Sequence, residues 1–265
     1  MFVVRNQKVN GYNEIVGKDN GELRLLSFGT LTLAQGESYE GNTEAEEKVF
    51  ILLGGKVKVE VAGKTFTGSR KNVFAEKATA VYLPMGSAFT VTNTGAEELR
   101  AALCGTPSPT QYEAFAVEPD EVWDRVVGKN NWQRSVHDIV VKNAEGKVHR
   151  IIVGETFNDP GNWSSFPPHK HDSYQPGVEA EMEEVYYYQL DPVDGFGLQS
   201  IYTKDGSIDE TFRVKNGDTF LIPRGYHPVC AAGGHKLYYL WMMAGEIDRV
   251  MIPNDDPDYA WVKES

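Results

Sequence analysis

Four neighbouring or well-spaced residues, His169, His171, Glu184 and His227, have the types to do chemistry together. His169 and His171 flank Lys170 in the stretch SSFPPHKHDSY. Side chains alternate along a strand, so both imidazoles face one side and Lys170 the other. An H-x-H pair in that setting is a bidentate clamp for a metal ion; a polar edge strand is the plain alternative. Glu184 opens the aromatic run EVYYYQL, and His227 follows the turn PRGY. Each is ordinary alone, since a carboxylate at a strand end is usually solvated and a lone turn histidine usually caps or faces water. Three imidazoles and one carboxylate arriving from separate strands of one barrel make a divalent-metal set with room for substrate oxygens.

Strands must position that set, and the chain is strand-like almost throughout. In KVFILLGGKVKVEVAG two apolar runs surround Gly54-Gly55, and Val57, Val59 and Val61 share one face. Short runs rich in β-branched and aromatic residues recur at TAVYLPMGSAFTV, HRIIVGETF, EVYYYQL, LQSIYT, DTFLIPRG and KLYYLWMMAG. Gly, Pro, Asn and Asp punctuate them, which predicts an all-β sandwich or barrel. The one candidate helix lies near PTQYEAFAVEPDEVWDRVV. An internal echo divides the chain. EEKVFILLGG followed by VYLPMGSAF returns as EEVYYYQL followed by FLIPRGYHP, the mark of a duplicated unit. The reading is two similar β domains, 1–115 and 130–265, with 116–129 as the connecting segment.

The composition of the 265 residues bounds the partners. With 26 basic and 38 acidic side chains, the formal charge is -12, which argues against nucleic acid or an anionic membrane as partner. A small anionic substrate stays open, because one local arginine can hold it. Cys104 and Cys230 form no metal or disulfide spacing. No run approaches the length of a membrane span, and the apolar run after Met1 is too short for a signal peptide. The expectation is a soluble, cytoplasmic protein.

The second half resembles a cupin domain, whose pattern is H-x-H, a following Glu, then G-x5-P-x-G and a His. Here these are His169, His171, Glu184, Gly217, Pro223, Gly225 and His227. The gap from His171 to the carboxylate is longer than the pattern has, and it brings Glu179, Glu181 and Glu183 into view beside Glu184. Glu184 is taken because its offset to the following strand matches the family and Glu183 faces the other way. Only Tyr226 separates Gly225 from His227, one residue fewer than usual. The first half places Glu47 at the glutamate position and Ala88 or Phe89 where the histidine belongs, so it is expected to be a metal-free barrel. The whole is then a duplicated cupin, a bicupin of two double-stranded β-helix (jelly-roll) barrels.

Over nearly the full length the chain is similar to the 5-deoxy-glucuronate isomerase family of inositol catabolism. The resemblance rests on GNWSSFPPHKHD, EEVYYY, IPRGYHP and YYLWMMAGE, with SRKNVF, AVYLPMGSAFTV and NNWQRSVHDIV in support. It implies an enzyme of carbohydrate metabolism, a metal-dependent aldose–ketose isomerase converting 5-deoxy-glucuronate to 5-dehydro-2-deoxy-gluconate through an enediol. Its rivals are the 4-deoxy-5-hexosulose-uronate ketol-isomerases of pectin breakdown and a cupin-type metal-dependent oxygenase; a non-catalytic sugar-binding bicupin would not need the intact ligand set. Zinc or manganese suits the ligands best, with iron as a third choice. Bicupins associate through strand edges, so a homo-oligomer is expected.

Such a reaction needs a proton carrier and a cation for the distant carboxylate. Tyr186 and Tyr188 share the face of Glu184 and are the candidate catalytic side chains, with core packing as the alternative for each. Arg224, beside the His227 turn, is the candidate for the carboxylate. Gln199 and Tyr202 face opposite sides of their strand, so one at most lines the cavity. Trp241 and Met243 are expected in the core, Asn162 and its neighbouring serines at the entry to the metal strand. Lys170, His137, His149, His235 and Cys230 are expected outside the chemistry.

Overall fold

The computed structural model describes residues 2–5, 7–17 and 23–264. Its helical content is confined to the 3-10 turns Asn130–Trp132, Lys142–Ala144 and Ala260–Lys263, none of them long and apolar enough to cross a membrane. The stretch expected as a helix near Pro109–Val127 instead contributes two strands, Phe115–Val117 and Trp123–Val127. Tertiary pairing overrides the local pattern there. Phe115–Val117 adds antiparallel to Ala80–Leu83, and the Phe115 ring stacks on Tyr82 with centroids 5.1 Å apart. Pro119 lies between the two strands and would break a helix.

The expected all-β duplicated cupin is the fold found. Described residues of Gln7–Trp123 and Asp138–Val153 form one compact unit; those of Met1–Asn6, Asp124–His137 and Gly154–Ser265 form the other. The first is called here the N-terminal unit and the second the C-terminal unit. In the N-terminal unit the order runs Ala80–Leu83, Glu46–Val61, Leu99–Pro107, Ser27–Leu33. In the C-terminal unit it runs Thr219–Ile222, Glu183–Asp191, Lys236–Ala244, Ile152–Asn158. The Pro-x-Gly strand therefore flanks the Glu-Glu strand on one side in both, as the internal echo requires. A second C-terminal sheet joins Trp163–Ser164, Val229–Ala231, Gly197–Tyr202 and Asp209–Val214.

Glu46–Val61 is one strand rather than the two that Gly54-Gly55 suggested. A register shift between Leu52 and Gly54, with Gly55 at φ 105°, bends it, so its first part pairs with Ala80–Leu83 and Leu99–Pro107 and its second with Lys64–Arg70 and Ala88–Asn93. Only a residue without Cβ takes that φ without strain. The apolar face of this strand (Phe50, Leu52, Val57, Val59 and Val61) packs with Leu31, Val91 and Leu103 into a fully apolar core.

The strand registers correct one equivalence. Glu184 pairs with Ile222, just before the Pro223 turn, whereas Lys48 pairs with Leu83, just before the Pro84 turn. Lys48, not Glu47, is therefore the counterpart of Glu184, and Phe50 and Leu52 are the counterparts of Tyr186 and Tyr188. Lys48 is ion-paired to Glu46 at 3.0 Å, and Ser27 also donates to Glu46 at 3.0 Å. The same barrel position thus carries a cation in one unit and a carboxylate in the other.

Glu47 points the opposite way and does structural work. It is fully buried. Its Oε2 accepts from Tyr82 Oη and the His149 amide, each at 2.8 Å, and its Oε1 from the amides of Arg150 at 2.7 Å and Ile151 at 2.9 Å. Four donors on one buried carboxylate explain why Asp138–Val153 belongs to the N-terminal unit although it lies far along the chain. Glu47→Gln puts an amide N–H among donors and removes the charge. It should lower stability by about 2–4 kcal/mol, measurable by urea denaturation; an unchanged midpoint would contradict this role.

Candidate metal centre

The His–Glu set is assembled inside the C-terminal unit. Glu184 sits near the start of the central strand Glu183–Asp191 and alternates inward with Tyr186 and Tyr188. His169 lies on the short strand His169–Lys170, which pairs with Asn254–Asp255. His227 follows Gly225, whose φ of 92° turns the chain inward and whose Cα lies so close to Tyr202 that an added Cβ would stand 2.7 Å from that residue's carbonyl oxygen. His171, Glu184 and His227 are all buried and bring their ligand atoms within 4.8 Å of one another. His169 is half-buried and stands beside this trio, its ring centroid 5.0 Å from His227 and 6.4 Å from His171.

The hydrogen bonds behind the rings determine their tautomers. His171 Nδ1 faces the Met182 carbonyl at 2.8 Å, and His227 Nδ1 faces the Gly225 carbonyl at 2.9 Å. A carbonyl only accepts, so both Nδ1 atoms donate and both Nε2 atoms present lone pairs when the rings are neutral. Those lone pairs point at an anion. His171 Nε2 is 3.0 Å from Glu184 Oε2, and His227 Nε2 is 3.3 Å from the same oxygen, outside hydrogen-bonding geometry and without any hydrogen-bond partner. Burial would raise the Glu184 pKa, but His171 and His227 outweigh it and hold it at about 2, so the group stays ionised. Burial, then His227 and His171, push the His169 pKa well below its usual value, so that ring is neutral. One proton between His171 and Glu184 satisfies one contact and leaves His227 Nε2 facing the anion. A divalent cation satisfies both nitrogens and the carboxylate together, so the residues fit one.

A rigid frame surrounds the set. Gln199 Nε2 donates to the His227 carbonyl at 2.9 Å while its Oε1 accepts from Tyr188 Oη at 2.6 Å. Lys170 points away from its flanking histidines, as alternation requires, and bonds Glu179 at 2.8 Å and also Asp172. Glu179 further accepts from the amides of Asp172 and Ser173 and from Asn254. Burial opposes its ionisation, but these donors, Lys170 first, hold its pKa at about 2. Glu179 therefore anchors the long segment between His171 and Glu184. Asp172 Oδ2 accepts from the Gly225 amide at 2.8 Å, tying the H-x-H segment to the turn that delivers His227.

The set opens on a cavity of about 320 Å³, also lined by Tyr186, Arg134, Trp241 and Met243, a size that suits a small-molecule ligand. Tyr186 is the better placed of the two tyrosines. Its Oη is 2.9 Å from Ser165 Oγ, and burial, then the charge of Glu184, raises its pKa well above the usual value. Tyr188 is fully buried, directed to Gln199 and absent from the cavity wall, so it supports His227. Arg224 is exposed, bonds Ser207 at 3.2 Å and does not line the cavity; its position after Pro223 turns it outward when His227 turns in. Trp241 and Met243, expected as core, are cavity wall, because the inner face of Lys236–Ala244 continues past the core to the barrel mouth. Sequence reasoning missed Arg134; its one signal was alternation with Val136, which lines the same cavity.

The remaining expectations on side chains fall as follows. Ser164 Oγ accepts from Tyr239 and Asn158, each at 2.9 Å, and Asn162 donates to the Gln133 carbonyl at 2.9 Å, so both fasten the approach to His169. Tyr202 bonds Asp256 at 2.6 Å, so of the two only Gln199 turns inward. Cys230 is half-buried, and burial raises its thiol pKa, the reverse of an activated nucleophile.

Comparison with known proteins accords with this architecture. Residues 2–262 match the KduI/IolB family. The chain is 38% identical over 252 residues to 5-deoxy-glucuronate isomerase of Bacillus licheniformis, covering 94% of this chain and 92% of that protein. It is 36% identical over 252 residues to the protein of the same name from Bacillus subtilis strain 168, with the same coverage. The crystal structure of an IolB-like protein from Salmonella typhimurium LT2 superposes with a TM-score of 0.92 at 31% identity, covering 99% of both chains. A Bacillus subtilis oxalate decarboxylase shares the fold alone, with a TM-score of 0.65 at 13% identity over 96% of this chain and 79% of that one. The match along almost the entire chain, carried by relatives of one name, makes this protein a member of the KduI/IolB family and an isomerase.

Proposed function

We propose that the chain converts 5-deoxy-glucuronate to 5-dehydro-2-deoxy-gluconate, an aldose–ketose isomerisation of inositol catabolism that needs a divalent metal. The observation that carries this reading is the buried His171–Glu184–His227 group beside a cavity that His171 and Glu184 line, in a family whose curated relatives bear that enzyme's name. His171, Glu184 and His227 would hold the ion, with His169 beside them as the fourth ligand. Zinc, manganese and iron all suit three imidazoles and a carboxylate. When bound, the ion supplies Lewis acidity that lowers the energy of charge developing on substrate oxygens.

The reaction moves the C2 hydrogen to C1 and the O2 hydrogen to O1, with an enediol between. Tyr186 stays a neutral phenol at any physiological pH, because burial and the Glu184 charge raise its pKa. It therefore suits the oxygen half of the transfer: its hydroxyl donates to one substrate oxygen and receives from the other, with Ser165 at 2.9 Å as the relay. A phenol held neutral is a poor base for the C2 hydrogen, so that role falls to another group. Trp241, Met243 and Met251 wall the cavity with apolar surface and limit water around the enediol.

Incubation of the purified protein with 5-deoxy-glucuronate in deuterated water, followed by NMR, should give the ketose with deuterium at C1. Exclusive turnover of the pectin-derived uronate, or oxygen uptake without isomerisation, would overturn the reading. His227→Ala should lose bound metal on elemental analysis and lower kcat/KM by at least about 100-fold; full activity without metal would refute the metal assignment. Tyr186→Phe should cut kcat by about 100-fold with metal content and KM little changed. Asp172→Ala, which unties the His171 segment from the Gly225 turn, should weaken metal affinity by roughly 10- to 100-fold in a chelator competition assay.

A further inference from the structure

We infer that Arg134 is the residue that grips the carboxylate of the substrate and makes the cavity selective for a sugar acid over a neutral aldose. This rests on the isomerase reading above for the identity of the sugar. Arg134 begins the strand Arg134–Val140 and lines the same cavity as His169, Glu184 and Tyr186. It is half-buried. Its Nη1 donates to the carbonyls of Trp132 at 3.2 Å and Phe166 at 3.0 Å. Both partners are neutral. Among the described residues no carboxylate lies within ion-pairing distance of it, and Nε and Nη2 have no hydrogen-bond partner.

That state is unusual for a cation removed from water. A desolvated charge is normally paired, because neutral acceptors recover only part of the lost hydration. Burial lowers the Arg134 pKa, with Tyr239, Tyr186 and Asp255 acting against it. The other cations of the cavity wall are placed differently. Lys263 is ion-paired with Asp255, and Arg125 adds positive charge beside Arg134. The cavity therefore has two poles, the His–Glu set and a guanidinium held by one nitrogen with its Nε–Nη2 edge still open. That edge is a planar two-donor fork, and a carboxylate is the ligand that matches it.

The two carbonyls that hold Nη1 also give the pole its aim. Trp132 precedes Arg134 by two residues, and Phe166 lies three residues before His169. One of the two carbonyls that hold the guanidinium thus belongs to the segment that delivers the H-x-H pair, which ties the two poles together. A substrate carrying its carbonyl at one end and its carboxylate at the other satisfies both. A neutral sugar ending in a hydroxymethyl group would leave the half-buried guanidinium without a counter-charge, and the site would discriminate against it.

The test compares metal-loaded wild type with Arg134→Gln and Arg134→Lys on two ligands, 5-deoxy-glucuronate and its neutral counterpart 5-deoxy-glucose. Binding is read by calorimetry and turnover by NMR, with metal content and melting temperature as parallel measurements. Arg134→Gln should weaken the acid by roughly 10- to 100-fold and leave the neutral sugar within about twofold, with metal content unchanged. Arg134→Lys, which keeps the charge without the fork, should recover part of that loss; it also serves if the glutamine variant does not fold. Equal losses on both sugars, or a fall in metal content, would make Arg134 a structural tie for the Phe166 segment and overturn the proposal. An unchanged acid preference in either variant would also overturn it while leaving the isomerase reading intact. Arg134-dependent binding of the acid without turnover would sustain the carboxylate site and sink the isomerase reading instead. Failure of wild type to bind the acid would sink both.

Discussion

A buried carboxylate shared by two imidazole Nε2 atoms, only one of which is hydrogen-bonded to it, is the constraint on which the catalytic unit depends. Glu184 lies ionised inside the barrel, and the imidazoles of His171 and His227 reach it with their Nε2 atoms, because their Nδ1 atoms are committed to the Met182 and Gly225 carbonyls. A proton shared by His171 and Glu184 meets one of these contacts, and a cation among the three groups would meet both. Much of the surrounding framework holds that geometry in place. Gln199 fixes the His227 carbonyl, Asp172 fixes the Gly225 amide, and Glu179 gathers the segment between His171 and Glu184. The frame keeps these polar groups in place inside the barrel beside an apolar wall.

The duplicated unit shows what the same topology does without that constraint. At the position of Glu184 stands Lys48, neutralised by Glu46, and at those of Tyr186 and Tyr188 stand Phe50 and Leu52. The interior is then filled by apolar packing, and the buried carboxylate of Glu47 faces the other way to collect three backbone amides and a tyrosine hydroxyl. One copy's central strand carries the candidate ligand Glu184, the other's packs an apolar core. A change of which acid in the Glu-Glu pair faces inward separates the two, since neighbours on a strand occupy opposite faces.

Much of this was legible in the amino-acid order. Period-two alternation and regular turn residues determined an all-β fold, the echo of Glu-Glu and Pro-x-Gly determined its duplication, and H-x-H with a downstream Glu and His determined the candidate ligands. Alternation also placed Lys170 away from its histidines, where it anchors Glu179. These features are local: each depends on neighbours within a strand or a turn. The strand pair in place of the helix near Phe115, the single bent strand through Gly54-Gly55, and the role of Lys48 were decided by tertiary structure, because they depend on which strand pairs with which and in what register.

The cavity was decided in the same way. Arg224 lies closest in sequence to the His227 turn yet points to water, whereas Arg134, far from every ligand in the chain, turns its guanidinium into the site. Trp241 and Met243 look like core in sequence and form the wall. Residue types and short spacings determined which chemistry this protein can do. Which side chains surround that chemistry depended on how distant strands close into a barrel, since closure sets the distance between residues that the sequence keeps apart.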